Sequence, residues 1–306
     1  MNPSTLDPTD TRVRLLDGPT GTELERRGLS LLSPLWSASA ITAAEELLVS
    51  IHRDYVEASA SILSANTFRT NPATLAQGGF SPQTARALTR KGVAIARRAA
   101  AGTATLVAGS VAPVGDCYRP GDQRSEEEIR ADHASHIANL VEAGCDLLLV
   151  ETMNSLPETL IAAGIALTYD RPVLVSMVVD RSGEHLLDGT DLAVAVDALD
   201  RLDSGLLRGI LLNCASPAAT RRGVETIAGM HRQKRGTWEF GGYPNSGDPD
   251  PVLGWDQVRT VPPGEFDREI ERMLDLGARF IGGCCGTTPV TTARIRRLLD
   301  DRSAAA

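Results

Sequence analysis

Lysine is almost missing from this chain of 306 residues: Lys91 and Lys234 are the only two, and arginine supplies the other basic side chains. Both lie in polar stretches read as helical, not at the end of an apolar strand where a Schiff-base amine would be desolvated. Covalent lysine chemistry is therefore not expected. Long apolar runs are missing too. The longest aliphatic stretch is Leu147 to Val150, against the ~20 residues of a membrane span, so no membrane partner is expected. Met1 to Thr11 is polar and acidic with no apolar core. The segment 1–11 reads as a flexible tail, no signal peptide is visible, and a cytoplasmic address is expected. A basic excess is also lacking: the formal net charge of −8 argues against a nucleic-acid partner.

With 42% hydrophobic and 23% charged residues, the composition is that of a globular protein with a large core. Short apolar runs alternate with longer helical stretches. Strands are read at Val13–Asp17, Ser61–Ala65, Thr105–Gly109, Asp146–Glu151, Val173–Val179, Gly209–Asn213, Glu239–Tyr243 and Arg279–Gly282. Helices are read at Ala43–Glu57, Pro82–Ala101, Glu126–Ala143, Pro157–Thr168, Leu192–Leu202, Ala218–Gln233, Glu265–Leu276 and Pro289–Asp300. Ser81-Pro82 and Ser125 with Glu128 look like helix starts, and Gly144 and Gly277 like helix stops. Eight β–α units in strict alternation predict a parallel (β/α)₈ TIM barrel, one domain over 1–306. The competing open sheet expects a G-x-G-x-x-G turn after the first strand, and Gly18-Pro19-Thr20-Gly21 does not supply it.

Barrel chemistry sits at the C-terminal ends of the strands. Those ends read Asp17-Gly18, Asn66-Thr67-Phe68, Ser110, Glu151-Thr152, Asn213-Cys214, Tyr243-Pro244-Asn245 and Cys284-Cys285. The adjacent pair in Gly282-Gly283-Cys284-Cys285-Gly286 alone could be a vicinal disulfide, a phosphate-binding turn or two metal ligands. Cys214, two strands away on the same rim, favours the last. Three thiolates suit a soft or borderline cation, with zinc the default, and three protein ligands leave one coordination position open. Cys145 reads as a buried small residue, and Cys117, in the loop after the third strand, has no assigned role. His52, His133, His136 and His231 fall on helices or a helix end and are expected to be solvated or capping; His185 could approach the rim. Asp17 and Glu151 end apolar strands, where burial needs a partner. They could bond loop amides, clamp a cationic group such as an ammonium, or form a glycosidase-like pair. Trp36 and Phe68 could offer an aromatic face to a cationic ligand.

These residues resemble the homocysteine S-methyltransferase family across essentially the whole chain. The resemblance rests on Leu15-Leu16-Asp17-Gly18, Pro34-Leu35-Trp36-Ser37-Ala38, Ala65-Asn66-Thr67-Phe68, Glu151-Thr152, Asn213-Cys214, Tyr243-Pro244-Asn245-Ser246-Gly247 and Gly282-Gly283-Cys284-Cys285-Gly286-Thr287. It implies a zinc-dependent barrel that methylates the sulfur of homocysteine to give methionine. It places Zn2+ on Cys214, Cys284 and Cys285, and the homocysteine amino group on Asp17, beside Gly18, and Glu151. Trp36, Asn66, Thr67, Phe68 and Asn245 become donor-side or rim candidates. The Trp36 and Tyr243–Gly247 stretches look like the branch using S-methylmethionine or S-adenosylmethionine, more than the betaine branch. Pro19 stands where the family commonly has glycine, and Gly115-Asp116-Cys117-Tyr118-Arg119-Pro120 departs from the S-methylmethionine enzymes. Three alternatives stay open: another thiol or selenol acceptor, a corrinoid-protein or betaine donor, and a non-enzymatic zinc- or thiol-binding barrel.

Overall fold

The computed structural model describes residues 6–7, 9–31, 35–121, 124–202, 205–250 and 254–305. Its elements follow one another as β1 (Arg14–Leu15), α1 (Gly21–Arg26), a 3₁₀ turn at Trp36–Ser39, α2 (Ala40–Ala43), α3 (Glu45–Glu57), β2 (Ile62–Ser64), α4 (Pro72–Gln77), α5 (Pro82–Ala100) and β3 (Leu106–Val111). Then come α6 (Glu126–Glu142), β4 (Leu147–Met153), α7 (Leu156–Ala166), β5 (Val173–Met177), α8 (Leu192–Asp200), β6 (Leu207–Asn213), α9 (Pro217–His231) and β7 (Glu239–Tyr243). The chain ends with β8 (Gly247–Asp250), β9 (Gly254–Thr260), α10 (Pro263–Asp275), β10 (Phe280–Ile281) and α11 (Pro289–Ala305). Pro34, one of the landmark residues, lies outside the described residues.

Eight strands pair in parallel in the order β1-β10-β7-β6-β5-β4-β3-β2. A parallel bridge between Leu16 and Ile62 brings the two ends together. The result is the TIM barrel expected from β–α alternation. Inside it, period two puts Leu106, Ala108, Leu147, Leu149, Leu174 and Leu211 in one apolar cluster, with Leu6 buried against the same cluster. The opposite set, including Leu148, Val150, Val173, Val175, Ile210 and Leu212, packs under the helices. Each fully buried aliphatic side chain contributes about 1.5–3 kcal/mol.

The helix starts read from sequence hold in detail. Ser81 accepts from the Thr84 N–H, and Ser125 and Glu128 form a reciprocal capping box at the head of α6. Gly144 and Gly277 take φ of +81° and +96° just beyond α6 and α10. Between β7 and α10 the chain inserts an antiparallel ribbon, β8 with β9, that the sequence pattern did not predict. Prolines cannot donate to a strand ladder; Pro249 sits inside β8, where the pairing register shifts, and it masks the strand signal. Among the described residues, no helix is long and apolar enough to cross a membrane.

Candidate functional site

Side chains of a strand alternate between faces, so the residues two places beyond the apolar floor point into the barrel at its C-terminal end. Leu149 leads to Glu151, Ala108 to Ser110, Leu174 to Ser176 and Leu211 to Asn213. Above this polar layer opens a cavity of about 630 Å³. Its wall includes Asp17, Glu151, Cys214, Cys284 and Cys285.

The two carboxylates are buried, Asp17 at 4% and Glu151 at 8% exposure. Asp17 Oδ2 accepts from the Ser64 N–H at 2.8 Å. Glu151 accepts from the Ser110 hydroxyl through one oxygen and from the Tyr243 hydroxyl, at 3.1 Å, through the other. Burial pushes Glu151 up to about 7, and the Cys284 sulfur nearby adds to the rise. Burial likewise raises Asp17 well above the usual carboxylate range, with the Glu151 charge acting in the same direction. Among the described residues neither has a cationic partner. Two such acids facing one cavity are able to receive a positively charged group, which would offset the cost of their burial.

The thiols come from two strand ends. Cys214 follows β6 directly in left-handed backbone, φ +55°, and Cys284 and Cys285 follow β10 after two glycines. Cys214 Sγ lies 2.9 Å from Cys284 Sγ, and the sulfurs of all three residues lie within 4.8 Å of one another. Hydrogen bonds from the Cys214 and Cys285 thiols draw Cys284 well below the usual thiol range, and Cys214 is raised as the donor. A tetrahedral thiolate centre with metal–sulfur bonds of ~2.3 Å needs sulfurs roughly 3.8 Å apart, so the trio fits a soft cation with small side-chain shifts.

At the mouth, Trp36 lays its indole over Gly21, where an added Cβ would come within 2.2 Å of the ring. Trp36 meets Phe68 edge to face, with centroids 6.1 Å apart at 67°. The Asn66 amide donates to Ser37 O at 2.8 Å and ties this aromatic corner to β2. The bonds that fasten the loop after β3 include Val114 N–H to Glu158, Arg69 to Gly115 O at 2.9 Å and Asn154 to Asp116 O at 2.8 Å.

Of the residues singled out from sequence, the cavity wall collects Asp17, Gly18, Glu151, Trp36, Asn66, Phe68 and the three cysteines, together with Pro19 and Cys117. Thr67 and Asn245 are not on it. Thr67 is buried behind the wall, where its hydroxyl donates to Ser110 O at 3.1 Å. Asn245 is buried and, among the described residues, its side-chain amide has no partner, while its backbone N–H donates to Ala215 O. Cys145 is the buried residue expected, its thiol pushed up to about 11 by desolvation.

The expectation of solvated or capping histidines was wrong for three of the four. His52, His133 and His136 are buried; they lie on helix faces that pack inward, and burial depresses His52 and His136 to about 4. His185 does not reach the cavity wall and lies 3.7 Å from Asp180 instead. Lys234 sits just beyond α9, not within it, and bonds Trp238 O. Ser110 and Tyr243 were read only as rim residues, although counting in twos from the floor would have aimed Ser110 at Glu151. Arg69 and Tyr118, also on the wall, were missed; their place in the loops after β2 and β3 was the available signal.

The homocysteine S-methyltransferase family profile matches residues 14–299. The chain is 32% identical to homocysteine S-methyltransferase of Escherichia coli strain K12, over 93% of this chain and 94% of that one. It is 28% identical to selenocysteine Se-methyltransferase of Brassica oleracea var. italica, over 94% and 90% of the two chains. The crystal structure of the Escherichia coli homocysteine methyltransferase MmuM in its metallated form superposes with a TM-score of 0.79 at 31% identity, covering 94% of this chain and 96% of that one.

Proposed function

The chain belongs to the homocysteine S-methyltransferase family, and from that premise we propose a division of labour within the cavity. Cys214, Cys284 and Cys285 hold a zinc ion, Asp17 and Glu151 hold the ammonium of homocysteine, and its sulfur takes a methyl group from a sulfonium donor. The single observation that carries this is the meeting of three clustered thiols and two uncompensated buried acids on one cavity wall. We take residues 1–306 as one homocysteine-binding barrel and place it in the cytoplasm, where thiols stay reduced.

When bound, zinc supplies the charge that keeps a coordinated thiol deprotonated near neutral pH. The chain does the rest by placement. The ammonium turns both raised carboxylates back to their charged forms through charge-assisted hydrogen bonds, which fixes the amino-acid end of homocysteine. Asn213 steadies the thiol end, its amide nitrogen lying 3.9 Å from Cys284 Sγ. Trp36 offers its π face to the positive sulfur of the donor. In the transfer, the homocysteine sulfur forms the new S–CH₃ bond and the old S–CH₃ bond breaks. The electron pair of that bond returns to the donor sulfur, which leaves as a neutral thioether, and the homocysteine thiol proton goes to solvent. Alignment is the main requirement, and no side chain acts as nucleophile.

S-methylmethionine and S-adenosylmethionine are the donors this arrangement suits. A selenol acceptor is a second reading, supported by the likeness to the Brassica enzyme; the same clamp would hold its ammonium. The test is zinc-loaded protein with homocysteine and, in turn, S-methylmethionine, S-adenosylmethionine, betaine and a methylated corrinoid protein, following methionine. Methionine from a sulfonium donor is expected. Formation from betaine or corrinoid alone would overturn the donor assignment, and none from any donor the transfer itself.

A further inference from the structure

We propose that Arg69 is a carboxylate subsite at the mouth of the cavity, which holds the carboxylate of the sulfonium donor. This rests on the methyl-transfer reading above and assigns the residue that recognises the donor's carboxylate.

Arg69 follows Phe68 beyond β2 and lies on the cavity wall. Its guanidinium is held in place without being neutralised. Nη1 donates to Gly115 O at 2.9 Å, the group lies over the Phe68 ring at 4.9 Å from its centroid, and Nη2 is 4.0 Å from Cys117 Sγ. Among the described residues no carboxylate comes within ion-pair distance of it. Asp116, the acid nearest in the same loop, accepts the Tyr118 N–H and faces Arg119 at 3.9 Å. A guanidinium has five N–H donors in a rigid fork, and the bonds to Gly115 and the long one to Cys117 leave the remaining N–H groups for a ligand. Tethering and stacking have already ordered the side chain, which lowers the cost of binding.

The charge pattern sets the orientation. The acids Asp17 and Glu151 are buried, whereas Arg69 and Phe68 are half-buried beside the aromatic corner. Arg69 covers one face of Phe68, and Trp36, the second ring on this part of the wall, is the one we assign to the cation. A sulfonium with a carboxylate on the same molecule satisfies both: positive sulfur toward Trp36, carboxylate on the Arg69 fork. Planar two-point pairing is what arginine provides and lysine does not.

The experiment is calorimetric binding to the full-length zinc-loaded protein, which needs no turnover. The ligands are S-methylmethionine, its carboxamide (the same sulfonium and ammonium without the carboxylate) and homocysteine. The proteins are wild type, Arg69→Gln, Arg69→Lys and Arg124→Gln, the last because Arg124 also reaches the wall. Wild type is expected to bind S-methylmethionine about 30-fold more tightly than the carboxamide, the effect of one desolvated charged pair. Arg69→Gln should collapse that ratio toward one while carboxamide and homocysteine binding stay unchanged, and Arg69→Lys should restore part of it. Three results overturn the assignment. Wild type shows no preference for the carboxylate, absence of binding included; Arg69→Gln weakens both sulfoniums equally, as loss of the Gly115 tether would; or only Arg124→Gln removes the preference. Failure of methyl transfer would show separately, as absence of methionine, and leaves these affinities readable.

Discussion

Asn213 and Thr152 hold each other in both directions: Asn213 Oδ1 accepts from the Thr152 N–H at 3.1 Å, and its Nδ2 donates to Thr152 Oγ1 at 2.9 Å. Thr152 has φ +60°, and the residue after Asn213 is Cys214 at φ +55°. One amide thus joins the ends of β4 and β6 at the two points where the backbone is left-handed. Its nitrogen also faces Cys284 Sγ. Groups that orient metal ligands typically contribute about 10–100-fold in affinity, so Asn213→Ala should weaken zinc by that factor without removing a ligand. Competition with a chromophoric chelator measures it; unchanged affinity would mean the amide serves the barrel alone.

Alanine at Cys214, Cys284 or Cys285 should abolish tight zinc binding and turnover and leave the far-ultraviolet circular dichroism of the barrel intact. Stoichiometric zinc retained in the Cys284→Ala, Cys285→Ala double variant would sink the ligand assignment.

Mild peroxide should oxidise the same trio, expel zinc and stop turnover, with recovery on adding reductant and zinc. The 2.9 Å approach of Cys214 to Cys284 singles out that pair, so peptide mapping should find it linked before Cys284–Cys285. Full activity and full metal after peroxide treatment would contradict the site.

Asp17→Asn and Glu151→Gln should each lose about 30-fold or more in kcat/KM for homocysteine, from roughly 2–5 kcal/mol of charge-assisted bonding. Zinc content should not change, because neither acid is a proposed ligand. A simple thiol lacking the amino group should be a poor acceptor for wild type and fall little further in the variants. Equal losses for both acceptors would assign the acids to the fold or the metal.

Glu151 also predicts a pH effect in metal-free, substrate-free protein. Burial raises it from 4.5 to about 7, so the native state prefers the protonated acid. Stability from this source is fully present below pH 4.5 and is lost as pH rises through about 7, by up to ~3 kcal/mol. Glu151→Gln removes the effect. Urea unfolding of both proteins across that window should show their stabilities diverging; parallel lines would mean the acid is already ionised in the native state.

The barrel was legible because β–α alternation and period two are both written in the order of apolar residues. The thiols were legible because Cys214 and the Cys284-Cys285 pair end strands that a barrel must bring to one rim. What was not legible depended on packing. The buried side of α6 carries Asp132, His133 and His136, polar residues whose inward facing no hydropathy pattern reveals. His133 Nε2 lies 3.0 Å from the Glu158 carboxylate, which also takes the Val114 N–H, a bond spanning 44 residues. Thr67 shows the converse error. It stands between Asn66 and Phe68, both on the cavity wall, but in the turn beyond β2 its hydroxyl bonds Ser110 O instead.

Leu6, Leu16, Ile62 and their neighbours fill the barrel beneath the polar layer, so the cavity is a cul-de-sac. On the proposed reading the acceptor occupies its blind end and the donor its entrance. Traffic then obeys last in, first out: homocysteine must enter before the sulfonium, and the spent donor must leave before the methylated acceptor can. Binding order here is set by plumbing rather than by relative affinity, and a donor bound first would cork the vessel.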